Sequence, residues 1–392
     1  MAERFAARSS LSLRRWRWWH RWSSVLCTLF LLMLCVTGLP LVFADEIDDA
    51  LGRLHPARVA SSPPSLPIRA ASVPDLVVAD ALRRHPGLRP RIVVFDADAP
   101  VIQLRLTRGP DDSYAGSLAL SYDRRTGALL RDGEPPGSGV MRIVLGLHRQ
   151  MLAGLPGELF LGAMGIAFLI AIVSGFVLYA PFMRRLRFGQ IRRSGSPRLR
   201  WLDTHNLVGA CVAAWMVVVG ATGIMNTLAT PLFGLWVMRD VAPRLAAFRT
   251  APVMMPTATL AAAIASASAA VPGDRVLSVT FPSHLAGSPR HFVVWVTGRT
   301  KVRGRLMTPV LVDAATGATV MVARLPWYLR LLELSRPLHF GDYGGLGLKI
   351  VWAAFDAATI LVLGSGLYLL FARPPSGRRA RSEEGRLVRG ES

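Results

Sequence analysis

Apolar and polar positions divide the 392-residue chain into four long apolar stretches separated by polar segments. The stretches cover residues 22–43, 159–183, 207–229 and 350–372, and they contain a single charged residue, Asp356 in the fourth. A helix needs about 20 apolar residues to cross the hydrocarbon core of a bilayer. The pattern therefore predicts four transmembrane helices and a membrane α-helical fold class.

The two long polar segments, after the first and the third stretch, follow a different pattern. Each contains a stretch of helical periodicity ahead of its strands, at residues 76–85 and 260–270. Short alternating runs rich in β-branched residues follow, and such runs are typical of strands. The predicted strands are 91–95, 101–107 and 117–122 in the first segment and 276–281, 291–297 and 307–312 in the second. Each segment is expected to fold as a small α+β module.

A motif of the form Asp-x-x-Thr-Gly follows the third predicted strand of both segments. It occurs as Asp123–Gly127 and again, 190 residues later, as Asp313–Gly317. Its glycine is able to adopt the positive φ of a tight hairpin turn. Because spans, strands and turns recur in one order, the chain is predicted to be two parallel helix–domain–helix repeats, related by an axis along the membrane normal.

The net charge of +21 is concentrated beside the spans. Residues 1–21 contain 6 arginines and one acid, residues 184–200 contain 7 arginines and no acid, and the tail after residue 372 contains 6 arginines and 3 acids. Short basic flanks of membrane spans face the cytoplasm. Both termini and the central connector are therefore expected in the cytoplasm. The positive charge is explained by contact with membrane lipid and by the orientation of the spans, so no nucleic-acid partner is predicted.

These patterns set the predicted boundaries. The first span is expected to be retained rather than cleaved, because its 22 uncharged residues exceed the core of a signal peptide, which is about 7–15 residues long. The segments are a cytoplasmic N-terminus 1–21, span one 22–43, an outer module 44–146, span two 147–183, a cytoplasmic loop 184–204, span three 205–230, a second outer module 231–338, span four 339–372 and a cytoplasmic tail 373–392.

Four of the eight histidines occupy equivalent positions in the two halves. His20 and His205 each lie 17 residues before a Thr-Gly pair, and His148 and His339 each lie 26 residues before a Ser-Gly pair. The expected topology puts the first two at the cytoplasmic side and the other two at the outer side. Imidazole is a common metal ligand, and haem iron takes histidine axially. Two bis-histidine sites inside a four-helix bundle are therefore predicted.

The small-residue pairs are predicted to lie beside these histidines. At about 1.5 Å per residue, 17 helical residues cover about 25 Å, close to the thickness of the bilayer core. The pairs are Thr37-Gly38 and Thr222-Gly223 at the outer level, and Ser174-Gly175 and Ser365-Gly366 at the inner level. We interpret them as clearance for a flat macrocycle, with helix packing as the alternative.

Charged residues near the histidines complete the candidate site. Candidate partners for haem propionates, for which interfacial anchoring is the alternative role, are Arg17, Arg21, Arg149, Arg200, Arg336 and Lys349. Asp356 is a candidate functional acid, because acids inside membrane spans are rare and usually functional. A hydrogen bond to Asn226 is an alternative role for it. The remaining histidines, His55, His85, His284 and His291, lack ligand spacing and are predicted to be surface residues.

The chain resembles the PepSY-associated transmembrane proteins over nearly its whole length. The residues that carry the resemblance are Trp19–Trp22 with Thr37-Gly38, Leu147–Arg149, His339–Gly345, Ser365–Tyr368 and the two Asp-x-x-Thr-Gly turns. Within that family it is similar to bacterial inner-membrane ferric-siderophore reductases. The resemblance implies PepSY-like modules in the periplasm, two b-type haems, and a ferric siderophore or other iron chelate as electron acceptor.

The expected function is therefore transmembrane electron transfer that reduces a periplasmic ferric chelate and releases Fe(II) for uptake. The electron donor stays open between a cytoplasmic flavin reductase and a quinol. One alternative is a non-redox, membrane-anchored regulator of proteolysis, since PepSY modules resemble protease pro-regions. A second alternative is a permease for iron or siderophore. Neither alternative accounts for the paired histidines.

Overall fold

The structure is a computed structural model of the chain. It describes residues 2–51, 73–96, 100–112, 117–133, 138–183, 191–192, 196–285, 287–300 and 303–372. It divides into two compact units. The helical unit consists of Met1–Val42, Leu145–Thr227 and Leu338–Ser392, and the sheet unit consists of Phe43–Val144 and Leu228–Pro337.

Ten α-helices lie within the described residues. They are α1 (Ala2–Val42), α2 (Ala44–Ala50), α3 (Val73–Arg84), α4 (Ser138–Gln150), α5 (Leu155–Met183), α6 (Pro197–Thr227), α7 (Ala229–Trp236), α8 (Leu260–Ala270), α9 (Trp327–Phe340) and α10 (Gly345–Phe371). A π-helical turn at Val237–Val241 and a 3-10 helix at Ala242–Phe248 follow α7.

Four of these helices are long and apolar enough to cross a membrane, which confirms the prediction of four apolar spans. Their candidate spans are Ser12–Val42 in α1, Leu155–Ala180 in α5, Pro197–Thr227 in α6 and Gly345–Phe371 in α10. Helix α1 packs against α5 and α10, and α6 packs against the same two helices. The helices α1 and α6 are therefore diagonal in the bundle, as are α5 and α10.

The second and fourth spans begin later than the sequence predicts. The predicted span 147–183 is interrupted after α4, where Met151 and Leu152 have φ of 51° and 58°. The predicted span 339–372 is interrupted after α9, where Gly341 has φ of 73°. A positive φ breaks the helical hydrogen-bond ladder. His148 and His339 consequently lie at the ends of α4 and α9, outside the long helices that follow.

The sheet unit contains one antiparallel sheet of eight strands in the order β4-β3-β2-β1-β5-β6-β7-β8. The strands are β1 (Arg89–Phe95), β2 (Val101–Thr107), β3 (Leu118–Asp123), β4 (Leu129–Asp132), β5 (Arg275–Thr280), β6 (His291–Thr297), β7 (Met307–Asp313) and β8 (Thr319–Val322). All six predicted strands are present, and β4 and β8 are additions. Pairs such as Val93 with Val279 join β1 to β5, so both chain segments share one sheet, which the sequence did not predict.

The core of the sheet unit lies between the sheet and the helices α3 and α8. Val77 and Ala81 of α3 and Ala263 and Ala267 of α8 are fully buried there. They pack against alternate strand positions, which share one face of a sheet. The alanine-rich sequence of α8 allows a close approach to the strands.

Both predicted hairpin turns are confirmed. Gly127 and Gly317 have φ of 71° and 74°, and the carboxylates of Asp123 and Asp313 accept hydrogen bonds from backbone amides inside the turns. Burial acts to raise the pKa of Asp313. The amides of the turn and the Thr316 hydroxyl outweigh burial and hold this pKa below its ordinary value.

Candidate functional site

The structure brings the four predicted histidines of the helical unit together in two pairs. His20 of α1 and His205 of α6 have ring centroids 6.5 Å apart, with an interplanar angle of 73°. His148 of α4 and His339 of α9 have ring centroids 6.3 Å apart, with an angle of 58°. We call these the inner pair and the outer pair.

Each ring of the inner pair is held through Nδ1 by a neighbouring long helix. In both cases the Nδ1 atom contacts one backbone carbonyl and one serine hydroxyl. His20 lies 2.9 Å from the Ala171 carbonyl oxygen and 3.2 Å from the Ser174 Oγ, and His205 lies 3.0 Å from the Val362 carbonyl oxygen and 3.0 Å from the Ser365 Oγ. Helix α5 thus holds His20, and α10 holds His205.

The outer pair is held in the same way, with threonine in place of serine. His339 Nδ1 lies 3.1 Å from the Val219 carbonyl oxygen and 3.3 Å from the Thr222 Oγ1, and His148 Nδ1 lies 3.0 Å from the Thr37 Oγ1 and is bonded to the Leu34 carbonyl. In all four cases the carbonyl belongs to the residue three positions before the hydroxyl residue. Helix α6 thus holds His339, and α1 holds His148.

These contacts determine which ring nitrogen carries the proton. A carbonyl oxygen only accepts hydrogen bonds, so Nδ1 must be the donor in each ring. In a neutral imidazole the Nε2 atom then keeps its lone pair. No residue that the structure describes is hydrogen-bonded to Nε2 of His20, His148, His205 or His339. In this tautomer the Nε2 atom has the lone pair through which a neutral imidazole is able to bind a metal ion.

The glycine of each small-residue pair lies directly against an imidazole. A Cβ added to Gly38, Gly175 or Gly223 would lie 3.2 Å from Cε1 of His148, His20 or His339 respectively. The corresponding distance from Gly366 to His205 is 3.3 Å. The sequence predicted small residues facing each pair as clearance for a macrocycle. In the structure the space beside each glycine is taken by the histidine ring itself.

The ring separation matches two axial ligands of one metal ion. Metal–imidazole bonds are about 2.0–2.1 Å long, so imidazoles on opposite sides of one ion have centroids about 6 Å apart. The inner and outer pairs, at 6.5 and 6.3 Å, both fit this distance. Each pair contains two imidazoles, which is the number that a bis-histidine haem takes from its protein. Within the described residues, no group of three or more histidine, cysteine or acidic side chains is placed to hold a metal ion.

The distance between the two pairs follows from the length of the helices that connect them. His20 lies on α1, and Thr37, which bonds to the outer His148, lies 17 residues later on the same helix. At about 1.5 Å per residue, this places the two sites about 25 Å apart along α1. His205 and Thr222 repeat the arrangement on α6. The two pairs therefore lie at opposite ends of one bundle.

Two of the candidate propionate partners are paired with buried glutamates. Arg149 Nε lies 2.9 Å from a carboxylate oxygen of Glu158. Arg336 Nη1 lies 2.9 Å from a carboxylate oxygen of Glu333. Burial raises the pKa of Glu333, and Arg336 opposes that rise. Both arginines thus already have a carboxylate partner in the protein.

The remaining candidates differ in exposure. Lys349 is buried on α10. Arg17, Arg21 and Arg200 are exposed, and the Arg21 guanidinium lies 5.9 Å from the centre of the Trp22 ring. This contact suits an interfacial arginine.

Asp356 is buried beside the outer pair. Its Oδ2 would lie 3.8 Å from a Cβ at Gly38, the glycine that supports His148. Its carboxylate accepts a hydrogen bond from the Cys35 thiol, one turn earlier on α1. The Oδ1 of Asn226, the alternative partner, is buried without a hydrogen-bond partner among the described residues. The hydrogen bond that the structure shows for Asp356 is the one to Cys35 of α1.

Several contacts of this unit were not predicted. Glu158 occupies the position ten residues after His148, as Lys349 does after His339, and this correspondence was a usable signal. Asp203, two residues before His205, forms a forked ion pair with Arg192 at 2.6–3.0 Å. The carbonyls that hold the histidines have no sequence signature.

The other histidines lie in the sheet unit, apart from His55, which falls outside the described residues. His85 is hydrogen-bonded to Asp132, and His284 to Asp111. The prediction that His291 is a surface residue is wrong. Its ring is fully buried against Phe248 and bonded to the Ser288 hydroxyl at 2.6 Å, because it begins β6, an interior strand of the sheet.

Comparisons with known proteins confirm the resemblance to the PepSY-associated transmembrane proteins. The family model described as "PepSY-associated TM region" matches residues 17–373. A protein of Pseudomonas aeruginosa named "Uncharacterized protein PA4219" is 26% identical over 265 residues, which cover 61% of this chain and 65% of that protein. The aligned part therefore spans slightly less than two thirds of the relative's length.

Proposed function

The chain belongs to the family of proteins with a PepSY-associated transmembrane region, and from that premise we propose that it is a di-haem membrane oxidoreductase. It transfers electrons across the bacterial inner membrane and reduces a ferric siderophore or another ferric chelate in the periplasm. The single observation that carries the proposal is the pairing of imidazoles. Two pairs have centroids 6.5 and 6.3 Å apart, and all four rings are held through Nδ1.

His20 and His205 would hold one haem b, and His148 and His339 would hold the other. When bound, haem supplies one-electron redox chemistry. The protein supplies the ligands, fixes their tautomer and surrounds them with long apolar helices. An apolar surrounding keeps water away from the ligands.

The proposed architecture is two parallel helix–domain–helix repeats. The equivalent contacts of His20 and His205, and those of His148 and His339, support this relation. Equivalent histidines are 185 and 191 residues apart, and each is held by a Ser/Thr-Gly pair. Each repeat carries one histidine of the inner pair and one of the outer pair, so duplication of one unit explains why each pair has two members.

The proposed orientation puts both termini and the connector between α5 and α6 in the cytoplasm. The arginine-rich flanks support this orientation under the positive-inside rule. The inner pair then faces a cytoplasmic flavin reductase or a membrane quinol as electron donor. The outer pair lies at the periplasmic side, where the chelate is reduced and Fe(II) is released.

Haem content is the primary test. Purified protein from haem-replete cells is expected to show a Soret band, a sharp α-band on reduction, and about two haems per chain. His205→Ala should remove only the inner haem, and His339→Ala only the outer one. His85→Ala serves as the control, because His85 is a hydrogen-bonded histidine of the sheet unit.

A colourless wild-type preparation would contradict the proposal. Equal loss of both haems from each single variant would contradict the two-site assignment. The acceptor is tested separately by mixing chemically reduced protein with a ferric siderophore and a chromogenic Fe(II) chelator. Reoxidation of the protein should match Fe(II) release, and no reoxidation above the rate of background autoxidation would exclude that acceptor.

A further inference from the structure

We propose that each Ser/Thr-Gly pair is a seat that positions one axial histidine and sets its strength as a ligand. A seat consists of the hydroxyl residue, the glycine after it and the backbone carbonyl three residues before it. This inference rests on the proposed function, because it gives the seats a role toward bound haem. It assigns the small residues to the histidines rather than to clearance for the macrocycle.

The hydroxyl of a seat is committed as a donor within its own helix. The Ser174 hydroxyl donates to the Ile170 carbonyl at 2.6 Å, and the Thr222 hydroxyl donates to the Val218 carbonyl at 2.7 Å. The hydroxyls of Thr37 and Ser365 donate likewise, to Met33 at 2.7 Å and to Val362 at 2.8 Å. A hydroxyl has one proton, so its oxygen is left to accept from the histidine.

Each Nδ1–H group therefore donates to two oxygens of one helix, the hydroxyl and the carbonyl. Such a bond fixes the tautomer and the orientation of a ligating ring and raises its basicity. A more basic ligand stabilises the oxidised, more positively charged iron. The seats are thus expected to hold both haems at lower reduction potentials than unsupported imidazoles would.

The glycine of a seat fixes the distance between ring and helix. Any side chain at Gly366 would place its Cβ 3.3 Å from His205 Cε1, closer than an ordinary van der Waals contact. The ring would have to move away from the Val362 carbonyl, and its hydrogen bond would lengthen. Glycine therefore allows the hydroxyl and the carbonyl to reach Nδ1 together.

The four seats also differ by side of the bundle. Both inner seats contain serine, Ser174 and Ser365, and both outer seats contain threonine, Thr37 and Thr222. The hydroxyl contacts are alike, so serine and threonine are expected to be exchangeable in a seat. This equivalence supplies a conservative substitution that keeps the hydrogen bond.

The hydroxyl is tested by redox titration of variants that keep both haems. Ser365→Ala should raise the midpoint potential of the inner haem alone, and Thr222→Val that of the outer haem alone. Ser365→Thr keeps the hydroxyl and should therefore keep the wild-type midpoint potential. Thr359→Val is the control, because Thr359 is buried on α10 and its hydroxyl donates to the Phe355 carbonyl without contacting a histidine.

The glycine is tested by a pair of variants two residues apart on α10. Gly366→Ala should shift the low-spin ferric electron paramagnetic resonance signal of the inner haem or remove that haem. Gly364→Ala should leave the spectrum unchanged, since an added Cβ there meets nothing within 4 Å. Size-exclusion chromatography in detergent identifies any variant that fails to fold.

The outcomes separate the two proposals. One outcome is that wild-type protein holds two haems, while Ser365→Ala, Thr222→Val and Gly366→Ala have the potentials and spectra of the wild type. This outcome overturns the proposed role of the seats and leaves the proposed function standing. A folded wild type without haem overturns the proposed function and the seats with it. Equal shifts in Thr359→Val or Gly364→Ala would also overturn the seats, because these residues lack contact with the rings.

Discussion

At residue scale, two glycines of the same motif meet different surroundings. Gly127 and Gly317 both have a positive φ, 71° and 74°, in the Asp-x-x-Thr-Gly turns. A Cβ at Gly127 would lie 3.7 Å from Val73, an ordinary contact. A Cβ at Gly317 would lie 3.3 Å from the Ala262 Cβ of α8, which is tight. The backbone requirement is shared, whereas the packing requirement belongs to one turn.

Alanine at these two positions should therefore destabilise the protein unequally. Gly127→Ala is expected to cost about 1–2 kcal/mol, the penalty of a left-handed conformation for a residue with Cβ. Gly317→Ala should cost more, because α8 must also move. Thermal unfolding of the purified protein, followed by loss of β-sheet circular dichroism, measures both. Equal melting temperatures for the two variants would contradict the packing argument.

At the scale of elements, a side chain from one helix caps the N-terminus of another. The carboxylate of Asp75 on α3 accepts hydrogen bonds from the backbone amides of Leu260 and Ala261 at 2.6 and 3.1 Å. These amides begin α8 and have no partner within their own helix. The Thr259 hydroxyl accepts from the Ala262 amide at 3.1 Å, so two side chains cap one helix. The negative charge of Asp75 at this N-terminus also interacts favourably with the helix dipole.

Asp75→Ala should loosen the start of α8. Loss of a capping side chain costs about 0.5–2 kcal/mol. Hydrogen exchange measured by mass spectrometry should become faster in the peptide that contains residues 260–262. Asp240→Ala is the control, because Asp240 is exposed on the π-helical turn. Unchanged exchange in the Asp75 variant would show that the Thr259 hydroxyl suffices as a cap.

The breaks before α5 and α10 also act at the scale of elements. They place His148 and His339 on α4 and α9, so the outer histidines lie on helices separate from the spans that follow. The inner histidines His20 and His205 instead lie within α1 and α6. The two pairs therefore have the same kind of contact with a Ser/Thr-Gly pair but differ in the helices that carry their histidines.

At the scale of the whole molecule, each unit is assembled from both halves of the chain. The four long helices pack as a bundle in which each one contacts two neighbours, and strands β1 and β5 join the two polar segments into one sheet. A single sheet leaves two edge strands, β4 and β8, instead of the four that separate modules would expose. Fewer open edges reduce the risk of edge-to-edge aggregation.

The proposed orientation is tested on the whole protein by labelling with a membrane-impermeant maleimide. Val320→Cys, on the exposed edge strand β8, should react in intact spheroplasts. Ser196→Cys, at an exposed residue immediately before α6, should react only in inverted vesicles. The wild type is the background control, since its cysteines, Cys27, Cys35 and Cys211, lie in candidate membrane spans. The opposite pattern would reverse the topology.

Periodicity made much of this molecule predictable. The four spans, six of the eight strands and both turns follow from patterns of neighbouring residues. The strands agree with the structure within two positions, whereas the first and third spans begin ten residues earlier than their apolar stretches. The breaks before α5 and α10 were missed, because hydropathy does not report φ. The short strands β4 and β8 were missed because four residues are too few for a clear alternation.

The candidate site also has a part that was predictable from the sequence and a part that was not. Regular spacing was enough to predict that His20 pairs with His205 and His148 with His339. The burial of His291, the bond between Cys35 and Asp356 and the ion pairs of Arg149 and Arg336 with glutamates were not predicted. Only the folded chain decides these contacts, because each depends on residues that sequence spacing does not relate.

The sequence by itself determined the spans, the order of the elements and the level of each histidine in the bundle. Hydropathy and helical rise are local properties, so a sequence is sufficient to read them. Only the tertiary structure decided what each imidazole touches. The carbonyls of Ala171, Val219 and Val362 become acceptors for histidine because a ring from another helix reaches them beside a glycine. Such a contact requires three groups from two helices to meet, and no single stretch of sequence contains them.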